Sequence, residues 1–149
     1  MSGCGTDLVG DSLHPGTARG PLLVLSEPVS FWGGVDVSGM IVDAHHPQRG
    51  TSVAGHVVAM RSGRGSSSAS AVLAEQIRSG HAPAALLLGE CDTVLLLGAL
   101  VAAELYGIRV PVVRLTEEQF DALTGGDVEV VAGEPPAPAV VRRCDAGPR

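Results

Sequence analysis

Apolar residues in this chain come in short bursts, punctuated by glycine, proline and serine. That pattern favours short buried strands over long helices. Residues 1–19 are rich in Gly, Ser and Thr and read as a loose lead-in. Leu22-Leu23-Val24-Leu25, closed by Pro28, is a short buried strand, and Met40-Ile41-Val42 is another. Residues 43–52 hold two adjacent histidines, a proline and a glycine, and read as a loop. The β-branched Val53, Val57 and Val58 place a strand over 53–60. Ala69, Val72, Leu73 and Ile77 then recur at i, i+3, i+4 and i+8, which predicts a one-faced helix over 67–79, stopped by Gly80. Residues 84–88 are an apolar strand. Residues 93–105 are apolar nearly all round, so they are expected to form a helix buried on more than one side, ended by Gly107. A strand over 110–115 leads into Thr116-Glu117-Glu118-Gln119, a capping-box pattern opening a short helix to about residue 123. Gly125-Gly126 is a turn, and 128–131 and 139–141 can pair as a final hairpin.

The central β–α–β–α–β order requires parallel strands joined by crossover helices. Strands before and after it make the expected class α/β with a small barrel-like mixed sheet. The expected organisation is a flexible lead-in over 1–15, one domain over 16–142 and a flexible tail over 143–149. A chain of 149 residues, 45% hydrophobic and 17% charged, can build one real core.

Charge and composition narrow the function. The net charge of -6, with basic residues scattered along the chain, argues against a nucleic-acid face. Aromatics at 3% are too few for a base-stacking platform. The most apolar stretch, 84–105, contains Glu90, Asp92 and Glu104, so it fits strand, turn and helix better than a membrane span. Cys4, Cys91 and Cys144 are odd in number and far apart, encoding neither a disulfide framework nor a zinc site. They read as reduced thiols in a cytoplasmic protein.

The run Ser62-Gly63-Arg64-Gly65-Ser66-Ser67-Ser68 links a strand to a helix. Such a junction binds anions, because free backbone N–H groups and the positive end of the helix dipole point outward. Gly63 and Gly65 allow a tight turn. Ser66 sits where the N-cap is expected, and Arg64 offers a bidentate charge for carboxylate or phosphate. The same features would also serve a plain capped turn. No lysine follows the glycines, so this is not a nucleotide P-loop. The closing glycine of a nucleophile elbow is missing too. In His45-His46-Pro47, neighbouring side chains point to opposite sides of extended backbone and do not readily share one metal. One exposed and one hydrogen-bonded histidine in a turn is the plainer reading; substrate binding is the other. Asp36 and Asp43 flank that loop. Phe31-Trp32-Gly33-Gly34 reads as core plus turn, with Trp32 able to wall a pocket.

In order, Ser30-Phe31-Trp32-Gly33-Gly34-Val35-Asp36, Gly39, Ile41, Asp43, His45-His46-Pro47, Gly50, Gly55 and Gly63-Arg64-Gly65-Ser66-Ser67-Ser68 resemble the small subunit, or swivel domain, of aconitase X over residues 16–142. The resemblance implies the swivelling β/β/α fold of the aconitase superfamily. It implies pairing with a large catalytic subunit that carries an iron or iron–sulfur centre, none being bound by this chain alone. It implies a hydro-lyase acting on a small hydroxy acid: in bacteria cis-3-hydroxy-L-proline, converted to Δ1-pyrroline-2-carboxylate; in archaea mevalonate 5-phosphate. By the same resemblance Ser66 matches the serine that serves as base, with Arg64, Gly65, Ser67, Ser68, His45 and His46 as substrate-binding candidates and no metal ligand. A composition of bacterial type, rich in Ala, Gly and Val, tilts the choice to the hydroxyproline enzyme. A non-catalytic anion-binding interaction module is the alternative from another class. The sequence departs from the family at Gly89-Glu90-Cys91-Asp92, where a proline is expected before the aspartate; Cys91 there reads as a turn or core residue, not an iron ligand.

Overall fold

A computed structural model describes residues 7–62, 68–123 and 125–144. The elements are β1 (Leu8–His14), β2 (Gly16–Val24), β3 (Val57–Met60), α1 (Ala69–Ser79), β4 (Ala85–Leu88), α2 (Thr93–Tyr106), β5 (Val112–Arg114), α3 (Glu117–Asp121), β6 (Asp127–Ala132) and β7 (Pro138–Arg143). The seven strands form one mixed sheet in the order β1-β5-β4-β3-β2-β6-β7, and β7 pairs back onto β1, giving the expected barrel-like α/β fold. Strands β2 to β5 are mutually parallel, so their carboxyl ends share one edge. The remaining pairings are antiparallel, including the final β6–β7 hairpin.

The bursts of the sequence are explained by burial on both faces. Val57, Ala59, Ala85, Leu87 and Val113 point into a core closed by Val128, Val130, Ala139, Val141 and Phe120. Their neighbours Val58, Met60, Leu86, Leu88 and Val112 point the other way, under α1, α2 and the 29–53 loops. Side chains alternate along a strand, but a strand covered on both sides shows a continuous apolar run. All eight residues of β3 and β4 are buried, and each fully buried leucine contributes about 1.5–3 kcal/mol.

Helices α1 and α2 lie side by side on that second face and meet at Gly98. A Cβ there would stand 2.8 Å from the Ser70 carbonyl oxygen and 3.1 Å from Leu73 Cβ, so only glycine permits this approach. The helices stop at Gly80 and Gly107, as predicted. The expectation that α2 is buried on several sides does not hold. Leu95, Gly98, Ala99 and Ala102 are buried, whereas Leu97, Leu100 and Leu105 are exposed, because α1 and the sheet cover only one side. Among the described residues, no helix is long and apolar enough to cross a membrane.

Three other expectations are corrected. Residues 8–19 are not a loose lead-in but β1 and the start of β2; the buried positions of β1 are Ser12 and His14, polar residues that give no apolar alternation. Residues 53–56 form a turn, with the His56 N–H donating to the Val53 carbonyl oxygen, so β3 begins at Val57. Residues 40–42 make only single bridges, Val35 to Ile41 and Met40 to Ser52.

At the opposite end from the carboxyl edge, His14 is 4% exposed and neither ring nitrogen has a hydrogen-bond partner. Burial, then the nearby Arg109 cation, lower its pKa, against a smaller opposing effect of Glu134. The unfolded chain therefore binds more protons than the folded one below about pH 6.5. Stability is full above that pH and falls as pH drops toward the folded value, by at most about 1.4 kcal/mol per pH unit. His14→Leu is expected to flatten this acid limb and to melt no lower than wild type at pH 8, since it removes two unpaired polar atoms. Melting temperatures of both proteins from pH 8 to pH 5 check this.

Candidate active site

In α/β folds with parallel strands, open or closed into a barrel, ligands bind beyond the carboxyl ends of those strands. Here that edge gathers the 25–29 segment after β2, Arg61-Ser62 after β3, Gly89 to Asp92 after β4 and Leu115-Thr116 after β5. Gly63, Arg64, Gly65, Ser66 and Ser67 lie outside the described residues. Their flanks are described. Ser62 lies two residues beyond the end of β3, and Ser68 is exposed and takes the N-cap position of α1. Ser68 has helical backbone angles and makes no side-chain capping bond, and the expectation of an N-cap at Ser66 lies outside the described residues.

The 43–50 loop packs at the same edge. His46 is 6% exposed. Its Nε2 lies 2.8 Å from the Glu27 carbonyl oxygen, and its Nδ1 accepts the Gln48 N–H at 3.0 Å. This network assigns the neutral tautomer protonated on Nε2. Both ring nitrogens are therefore engaged within the fold, the arrangement of the plainer reading, with one hydrogen-bonded and one exposed histidine in a turn. Gln48, not singled out from the sequence, completes the staple: its Oε1 accepts from the Ser26 N–H at 2.9 Å, and its Nε2 donates to the Val24 carbonyl oxygen at 3.1 Å. Only the pattern of backbone groups left open after β2 could have pointed to it. His45 is exposed, and its N–H donates to Asp43 Oδ1 at 2.9 Å.

The Phe-Trp pair divides as expected. Phe31 is 1% exposed in the core with Leu73, whereas Trp32 is 57% exposed. The Val29 N–H reaches Met60 Sδ at 3.3 Å, tying this segment to the end of β3. Asp36 Oδ1 accepts from the Ser38 hydroxyl at 2.7 Å, the Ser38 N–H at 2.9 Å and the Met40 N–H at 3.0 Å. The Ser38 hydroxyl, then the Met40 N–H, hold its carboxyl below the ordinary range. Gln76, fully buried on α1, donates from Nε2 to the Asp36 carbonyl oxygen at 2.9 Å. Asp36 thus shapes its turn and meets α1 only through its backbone.

Asp92 caps α2, accepting from the Val94 and Leu95 N–H groups at 2.9 and 3.0 Å. Cys91 beside it is exposed, a turn residue rather than a core one. Among the described residues, no group of three or more His, Cys, Asp or Glu converges to hold a metal ion. A cleft of about 390 Å³ opens between Gly10, Gly89, Arg114 and Thr116. The arginines that end β5 and follow β3 are both engaged by carboxylates: Arg114 Nη2 lies 2.5 Å from Asp11 Oδ2, and Arg61 pairs with Glu117 and Asp121. Glu90, Asp92 and Glu118 add negative charge nearby.

Comparison with known proteins agrees with this geometry. Residues 7–136 match the aconitase X swivel domain. The cis-3-hydroxy-L-proline dehydratase of Pseudomonas aeruginosa is 43% identical over 155 residues, covering 95% of this chain and 27% of that protein. The phosphomevalonate dehydratase small subunit of Thermococcus gammatolerans is 36% identical, covering 85% of this chain and 98% of that one. The crystal structure of Thermococcus kodakaraensis aconitase X in its holo-form superposes with a TM-score of 0.77 at 30% identity, over 92% of this chain and 98% of that one. Against the hydroxyproline dehydratases of Pseudomonas aeruginosa and Hypocrea jecorina, the chain spans only 27% and 20% of the relative's length.

Proposed function

The chain belongs to the aconitase X swivel-domain family, and on that premise we propose that it is the small subunit of a two-subunit hydro-lyase that dehydrates cis-3-hydroxy-L-proline to Δ1-pyrroline-2-carboxylate. In this reading Ser66 removes the proton next to the carboxylate. The C–H and C–OH bonds break, water leaves, and the resulting enamine tautomerises to the product. What supports Ser66 is its place in the chain, between the carboxyl end of β3 and the start of α1, on the side of the sheet where parallel α/β folds bind ligands. A serine hydroxyl is a weak acid, so it needs support as an alkoxide. The N-terminus of α1, Arg64 and a site closed against water are the available sources. Gly65, Ser67 and Ser68 are the further substrate-binding candidates of the serine run, with His45, the exposed histidine of the 43–50 loop.

Membership of the aconitase X family suggests an iron or iron–sulfur centre on a large partner subunit, where it would polarise the departing hydroxyl. The setting is cytoplasmic, with Cys91 and Cys144 as free thiols.

Charge supports the amino-acid substrate. Mevalonate 5-phosphate carries a phosphate besides its carboxylate, whereas among the described residues of this edge Arg61 and Arg114 are already committed to carboxylates, which leaves Arg64 as the candidate cation for a single anionic group. A zwitterionic amino acid presents only one. One observation favours mevalonate 5-phosphate instead: the near-complete coverage of the Thermococcus small subunit. An assay of the reconstituted two-chain complex on both compounds decides. Expected is a kcat/KM at least about 100-fold higher on cis-3-hydroxy-L-proline, or about 2.7 kcal/mol in transition-state stabilisation. A preference for the phosphate ester overturns the substrate assignment. Turnover of neither leaves the non-catalytic anion-binding module as the reading.

A further inference from the structure

We infer that Arg61 is a positioning residue for the proposed reaction, splinting the exits of β3, β4 and β5 so that the chain passes Ser62 from a fixed point; this rests on the reading of Ser66 as base. Arg61 is the residue before Ser62, and it is held at both ends. Its carbonyl oxygen accepts the Gly89 N–H at 3.0 Å. A Cβ on Gly89 would stand 2.7 Å from that oxygen, so the two strand exits come this close only because residue 89 is glycine. Its guanidinium forks across two carboxylates of α3, with Nη1 on Glu117 Oε1 and Nη2 3.0 Å from Asp121 Oδ1. The same group lies 5.2 Å above the centre of the Phe120 ring, whose side chain is buried in the core.

Helix α3 is itself fixed. Thr116 and Gln119 form a reciprocal capping box, and Gln119 Nε2 donates to the Val9 carbonyl oxygen at 2.8 Å. A continuous brace thus runs from β1 through α3 and Arg61 to Gly89. The Asp121 hydrogen bond first, and the Glu117 carboxylate, raise the basicity of the guanidinium. Yet Arg61, Glu117 and Asp121 are 47%, 76% and 71% exposed, and ion pairs this open contribute little to stability. What the fork supplies is direction: two bonds in one plane fix the side chain's orientation, which a single lysine ammonium does not.

The test is steady-state kinetics of the two-chain complex on cis-3-hydroxy-L-proline, with melting temperatures measured alongside. Arg61→Ala is expected to lower kcat at least about 10-fold with KM within about 2-fold, since misplacing a reacting group costs rate rather than binding. Glu117→Gln/Asp121→Asn should reproduce the loss, and Arg61→Lys should fail to rescue it. Melting temperatures should stay close to wild type throughout. Unchanged kcat in Arg61→Ala, full rescue by lysine, or a kcat loss accompanied by collapse of the melting temperature each overturns the proposal. Ser66→Ala separates the two readings. If it is inactive while Arg61→Ala is normal, the base stands and the brace falls; if it turns over normally, the base assignment fails whatever Arg61 does.

Discussion

Ser66→Ala is expected to lower turnover of the assembled two-chain enzyme by about 10²–10⁴-fold, the contribution of a positioned general base. Assembly should survive, because the buried face of α1, with Leu73, Ala74 and Ile77, is untouched by the substitution. The neighbouring exit of β3 is secured independently, by the Gly89 N–H on the Arg61 carbonyl oxygen. Initial rates, read beside co-elution of the two chains on a sizing column, separate loss of chemistry from loss of the complex. Turnover near wild type would remove Ser66 from the mechanism. A protein that no longer binds its partner would show that the serine run serves the interface instead.

Phe31→Ala and Trp32→Ala are expected to have opposite effects although the residues are adjacent. Phe31 is 1% exposed and packs in the outer core with Val29, Leu73 and Met60. Truncating it leaves a cavity and should cost about 3–5 kcal/mol, a large share of the roughly 5–15 kcal/mol that holds a domain together. The loss should appear as a fall of about 6–20 °C in melting temperature. Trp32 is 57% exposed and its ring is not part of either core cluster. Its replacement should change stability by no more than about 0.5 kcal/mol. If the tryptophan variant proves the less stable of the two, the placement of this loop over the end of β3 is wrong.

The readable parts of this fold were those where one physical rule decides. The i, i+3, i+4, i+8 stripe of α1 and the glycines ending α1 and α2 give those helices away, and Thr116 with Gln119 announces α3. The doubly buried β3 and β4 read as apolar runs because both faces are covered. Strand β1 was illegible because its buried positions hold Ser12 and His14. The turn at 53–56 was hidden for the opposite reason: Val53 is fully buried, yet its carbonyl oxygen takes the His56 N–H instead of a ladder bond. Helix α2 misled in another way, since composition cannot tell a side covered by the same chain from one left open at Leu97, Leu100 and Leu105.

For the site, Phe-Trp, the paired histidines and the serine run were all visible as motifs, and the sheet's carboxyl edge carries the histidine loop, tied by Gln48 to Val24 and Ser26. Their individual tasks were not. The sequence left open which histidine of the pair is the hydrogen-bonded one; it is His46, whose partners are backbone groups at Glu27 and Gln48. Arg61 looked like one scattered charge, and its partners Glu117 and Asp121 lie 56 and 60 residues away along the chain.

The most direct test of the account is an omission experiment: turnover of cis-3-hydroxy-L-proline by the large partner alone, by this chain alone, and by the two combined. The account predicts product only from the combination, saturating as the two chains reach equal amounts. Equal turnover by the large partner with and without this chain would contradict it.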